Sequence, residues 1–237
     1  MKRLLLFGKE YRDTIMVINN LNEGETNECH NIINKLGGIH NFKEFEFKLW
    51  NVEYLNSGLK EAYILSDTKT SKRTSFVNNR LDSSVSKNQI DEINSKSDWL
   101  HIAYIDDIEC YEKLDEISIP FSIDFCTNKC RKSFANIINK ATVVFDSRER
   151  KKLYENILTN TTLVLHDEFG VEVISNNKTL FKLDNEPLKN LNVNGAGDLF
   201  AAAFIENYYT KQIYENTKFA MISTTENLIK RKNNEKI

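Results

Sequence analysis

Four consecutive residues near the C-terminus, Gly195-Ala196-Gly197-Asp198, are the part of this chain best suited to chemistry. The apolar run Leu199-Phe200-Ala201-Ala202-Ala203-Phe204-Ile205 follows at once, without Gly, Pro or Asn, and Ala and Leu favour helix. The four residues therefore open a helix. Free N–H groups and the positive dipole end attract an anion there. Glycines let the backbone approach a phosphate and form a nest of donors. A carboxylate would repel that phosphate, so Asp198 points to a base that takes the proton of a hydroxyl attacking phosphorus. A dinucleotide fingerprint would need Gly or Ala where Phe200 stands, and a Walker loop would need Gly-Lys-Ser/Thr to follow. A plain glycine turn with Asp198 capping the helix is the remaining alternative.

The elements that must hold these residues follow from periodicity. Residues 4–7 read as a buried strand ending at Gly8, and 14–18 as a second apolar run. Residues 27–36 read as a helix with Ile32, Ile33 and Leu36 on one face and Gly37-Gly38 as its stop. Phe45, Phe47 and Leu49 alternate with charged residues, as in a half-buried strand. Residues 62–65 and 74–77 form two strands of a hairpin with a polar tip. Strands at 99–104, 119–125, 142–145 and 162–166 then alternate with helical stretches near 91–93, 109–114, 132–138 and 148–157. Short strands at 171–175 and 180–183 flank the turn Asn176-Asn177, and helices at about 196–209 and 213–230 finish the chain. This order predicts an α/β fold, a mostly parallel sheet with helices on both faces.

The 237 residues allow one domain, 28% are charged, and the net charge is −2. No basic surplus suggests nucleic acid, and no apolar stretch reaches membrane-span length. The first ten residues read as a strand and not a signal peptide, because charges follow four apolar residues. Cys29, Cys110, Cys126 and Cys130 lack the spacing of a zinc set and read as reduced, mostly buried thiols of a cytoplasmic protein.

Element order and motif together resemble the ribokinase/PfkB family of carbohydrate and nucleoside kinases, in a shortened, divergent form. The resemblance implies a three-layer sandwich over residues 1–237, with a small β lid from about 10–20 and 60–80. It implies an ATP- and Mg²⁺-dependent kinase for a sugar or nucleoside, with Asp198 as base. The amides of Gly195, Ala196 and Gly197 would form the anion hole. Asn192-Val193 stand where the family has Asp-Thr; Asn192, Asn194 and Gly170 are then the nucleotide candidates. Asp146-Ser147-Arg148-Glu149 stands where the family has Asn-x-x-Glu, making Glu149 and Asp146 the magnesium candidates. Asp13, in the stretch after the first strand, is the expected ligand of substrate hydroxyls. The family's Gly-Gly-x-x-x-Asn segment, counted back from Leu36-Gly37, leaves Gly24 and Asn27 as substrate candidates. Arg73 or Lys72, in the lid segment, faces a substrate phosphate or stays solvated. Family members also pair through the lid, which implies a homodimer. A protein that binds nucleotide or sugar without catalysis is the alternative.

Overall fold

Leu4, Leu5, Leu6 and Phe7 are all buried, and alternate ones enter different cores. That is the pattern of a strand covered on both faces. The computed structural model describes residues 1–22, 24–67, 69, 73–77, 85–109, 111–155, 157, 161–188 and 193–234, with side chains described to 232. The strand is β1 (Lys2–Ile18). The others are β2 (Asn31–Gly38), β3 (Trp50–Asp67), β4 (Arg73–Val77), β5 (Trp99–Ile102), β6 (Phe121–Asp124), β7 (Val143–Ser147), β8 (Thr162–Asp167), β9 (Gly170–Ser175) and β10 (Lys178–Asp184). They form one sheet in the order β10-β9-β8-β7-β6-β5-β1-β3-β4, with β2 also on β1. The run from β8 to β3 is parallel, and the pairs β8·β9, β9·β10, β1·β2 and β3·β4 are antiparallel.

Helices cover both faces. Leu5 and Phe7 pack with Ile90 and Ile93 of α1 (Lys87–Lys96) and Ile137 and Ile138 of α2 (Ala135–Lys140). Leu4 and Leu6 pack with the wholly buried run 199–205 of α3 (Ala196–Glu206), which is backed by Ala220 and Leu228 of α4 (Ile213–Asn234). Among the described residues, no helix is long and apolar enough to cross a membrane.

The distal parts of β1 and β3 leave the layered core and continue together as an outer sheet, with β2 and β4 on its two sides. Tyr11, Asp13 and Ile15 turn inward and are buried, while Arg12 between Tyr11 and Asp13 is exposed. Two expectations fail here. Residues 27–36 are not a helix: the β-branched pair Ile32-Ile33 belongs to β2, whose Lys35 lies opposite Asp13. Residues 45–49 form no strand, because Glu206 Oε1 accepts the N–H groups of Lys48 and Leu49, both at 3.0 Å, and ties the segment to the end of α3. The stretches 111–116 and 148–154 are 3-10 helices.

Candidate active site

Gly195 stands in the left-handed region, φ 78°, and turns the chain into α3. A Cβ there would come within 2.7 Å of the Asn41 amide carbon, so Gly195 is required both for the turn and for the approach of Asn41. Ala196 N–H donates to the Val193 carbonyl at 3.0 Å, and Leu199 N–H to that of Gly195. The expected donor set therefore shifts. The Ala196 amide closes the turn, while those of Gly197 and Asp198 find no backbone acceptor among the described residues.

Asp198, in the first turn of α3, is 2% exposed. Asn41 Nδ2 donates to its Oδ2 at 2.7 Å, and Tyr104 Oη donates to Oδ1 and Oδ2 at 2.9 and 2.8 Å. Tyr104 shares its single proton between the two oxygens and Asn41 adds one donor on Oδ2, so among the described residues Oδ1, with two lone pairs, can accept a further hydrogen bond. Burial pushes the Asp198 pKa up to about 6, against the hydrogen bonds of Tyr104 and Asn41 and the charges of Arg73 and Lys35.

Asp13 approaches from β1. Gly37 makes room for it, since a Cβ there would fall 2.2 Å from Asp13 Oδ2. Asn194 Nδ2 donates to Asp13 Oδ2 at 3.2 Å, and Arg73, inward-facing on β4, donates to Asn194 Oδ1. Arg231 of α4 donates to the Asn194 carbonyl at 2.5 Å and holds Glu44 at 2.6 Å, while Lys35 lies 3.8 Å from Glu44. Burial raises the Asp13 pKa and lowers that of Lys35. A cavity of about 390 Å³ on the outer sheet is lined mainly by the alternate, outward positions Arg12, Thr14, Asn34, Leu36, Glu61 and Tyr63, so it lies on the face opposite to the one into which Asp13 turns.

The parallel strands deliver the remaining side chains at their C-terminal ends, where α/β sheets place ligands. Asp124 ends β6, its pKa raised by burial and by the charges of Asp198 and Asp146. His166, near the end of β8, stacks on Phe200 at 4.8 Å and lies against Gly197.

Several expected site residues have other surroundings. Asp146, expected at the magnesium, is bonded within the protein: Arg131 donates to its Oδ2 at 3.0 and 2.8 Å, Tyr154 Oη at 2.7 Å, and the Arg150 guanidinium lies 2.6 Å from Oδ1. Its two oxygens are occupied by structural partners. Glu149 is exposed at the start of the 3-10 helix after β7. Gly170, φ 138°, follows the β8–β9 turn, and glycine is required there because a Cβ would strike the Leu183 carbonyl of β10 at 2.0 Å. Gly24 and Asn27 sit in the loop beyond the pair Val17 and Asn31, four residues outward from Asp13, and the Asn27 side chain bonds Asn22 and Glu25. Asn192 and Lys72 lie outside the described residues. Sequence reasoning missed Asn41, Lys35, Tyr104, Asp124 and Arg231. Asn41 had a signal: Gly37-Gly38-Ile39-His40-Asn41 matches the Gly-Gly-x-x-x-Asn pattern one residue short. Reading Gly37-Gly38 as a helix stop hid it.

No protein-family model matches the chain, and no curated protein sequence does. Solved structures match it over nearly its whole length. A ribokinase from Cryptococcus neoformans in complex with ADP superposes with a TM-score of 0.72 at 12% identity, covering 94% of this chain and 93% of the other. The chain has the ribokinase-like fold. A ribokinase from Thermotoga maritima gives a TM-score of 0.64 at 15% identity, covering 97% of this chain and 92% of that one. A nucleoside kinase of the ribokinase family from Methanocaldococcus jannaschii gives 0.64 at 14%, covering 93% and 89%. In this ribokinase-like fold the outer sheet meets the turn before α3 at Asp13, Arg73 and Asn194, and Asn41 links the 3-10 helix at 39–44 to Asp198.

Proposed function

We propose that the chain is an ATP-dependent kinase that phosphorylates a hydroxyl of a sugar, a sugar-like alcohol or a nucleoside. One observation carries this reading: a buried carboxylate with a raised pKa and, among the described residues, room for a further hydrogen bond on Oδ1, set beside amides of the α3 turn that find no backbone acceptor among those residues. The acceptor hydroxyl donates to Asp198 Oδ1. As its oxygen bonds the γ-phosphorus, the bond from that phosphorus to the bridging oxygen of ADP breaks, and the proton passes to Asp198. The amides of Gly197 and Asp198, with that of Gly195, hold the charge on the moving phosphoryl group. Asp13 accepts further hydroxyls of the acceptor, and Arg73 and Lys35 balance the local negative charge.

Magnesium fits this donor set only as an ion carried chiefly by the nucleotide. Among the described residues, no group of three or more His, Cys, Asp or Glu surrounds a metal position. Mg²⁺ keeps several waters and needs few protein ligands, and exposed Glu149 meets that need. Bound there, the ion would offset phosphate charge. The outer sheet acts as a lid, and its exposed Ile32, Leu36, Tyr63 and Phe76 suit pairing with a second copy. Cys29, Cys126 and Cys130 are exposed and not buried as expected, and their free thiols suit the cytoplasm.

The test is a panel of sugars and nucleosides with ATP and Mg²⁺, read by ADP release and ³¹P NMR, for the natural chain and Asp198→Asn. Phosphorylation of an acceptor that the variant fails to support is the expected result. Binding without turnover across the panel would make the chain a binding protein.

A further inference from the structure

Tyr104 directly follows the segment after β5 and has φ 59° and ψ 58°. The other described non-glycine residues with positive φ, Asn176 and Asn177, sit in a hairpin turn where asparagine is at home. A tyrosine in the left-handed region is strained, and such strain persists only where the surroundings impose it. Here it aims one hydroxyl at both oxygens of Asp198. The ring is braced edge-on by Tyr11, with centroids 5.9 Å apart at 81°. Tyr11 Oη donates to Asp107, which also takes the ammonium groups of Lys60 and Lys9.

We propose that Tyr104 is a positioning residue for the base: the left-handed turn holds its hydroxyl on Asp198, so that the carboxylate stays ionised with its unused lone pair turned toward the acceptor. The proposal rests on the kinase reading for the acceptor alone; the clamp itself is a property of the free protein. The other groups facing Asp198 are Asn41 from the 3-10 helix at 39–44, Lys35 from β2, Arg73 from β4 and Asp124 from β6, with His166 of β8 behind Gly197. Burial raises the Asp198 pKa, and the Tyr104 hydrogen bond is the first of the effects that oppose it.

The test is a carboxyl ¹³C NMR titration of the aspartates without nucleotide or acceptor, with the Asp198 signal assigned by its loss in Asp198→Asn. Tyr104→Phe is expected to move the Asp198 midpoint up by about one pH unit. Site-specific 3-fluorotyrosine at 104, a stronger acid and donor, is expected to move it down, and this arm decides the matter if Tyr104→Phe fails to fold. Once the panel yields an acceptor, the acid limb of kcat/KM should shift with the NMR midpoint. A folded Tyr104→Phe chain whose Asp198 midpoint is unmoved or lowered, or whose turnover rises, would overturn the proposal. An empty panel with the NMR shifts present would instead remove the kinase reading and leave the clamp standing.

Discussion

Asp198 meets two opposed demands. It must be ionised to accept a proton, yet it is 2% exposed. Its pKa in the fold is raised from 3.8 to about 6, so the folded state favours the protonated form. Stability therefore falls as pH rises from about 4 to about 6 and is flat above. Asp198→Asn removes that loss. At pH 7–8 the variant is expected to be more stable than the natural chain by about 1–3 kcal/mol, converging with it near pH 4, as read by denaturant titration. The same change is expected to lower kcat by about two to four orders of magnitude, the scale of general-base catalysis. Asp146 carries the opposite expectation. Asp146→Asn weakens a carboxylate bonded to buried Arg131, and should cost about 3–5 kcal/mol of stability with no change in the Mg²⁺ concentration needed for turnover. The contrast explains what was legible. Asp198 and its glycines are contiguous, so their chemistry can be read along the chain. Asp146 had the right spacing, but its partner Arg131, 15 residues away, decides its role, and spacing does not encode that contact.

At the scale of elements, the α3 turn was readable because glycines before an apolar run have few other uses. Gly195→Ala tests it. The new Cβ enters the left-handed region and meets Asn41, so the variant should lose about 1–3 kcal/mol in stability. Displacing Asn41 from Asp198 should also make kcat fall more than KM rises, as steady-state kinetics with the panel's acceptor would record. β2 was not readable. Ile32, Ile33 and Leu36 fit a helical stripe as well as a strand, and only pairing with β1 selects the strand. That one misreading displaced the substrate candidates to Gly24 and Asn27 and concealed Asn41. The regular strands after residue 98 were clear, because each is a short apolar run bounded by polar turns.

For the whole molecule, the layered α/β architecture was visible in the alternation of elements, whereas the meeting of outer sheet and α3 turn was not. It depends on contacts such as Arg73 to Asn194, which join residues 121 positions apart. Arg73 is exposed, so Arg73→Ala should change stability by less than about 1 kcal/mol. Because Arg73 ties β4 to the turn that leads into α3, the variant should raise the acceptor KM about tenfold, measured against an unchanged melting temperature. β1 and β3 have a further consequence. They run unbroken and side by side from the layered core into the outer sheet, with a register shift between Gly8 and Glu10. No loose linker joins the two regions through these strands. The outer sheet that carries Asp13 is therefore rooted in the layered core by two continuous, mutually paired strands, as a leaf spring is clamped at one end.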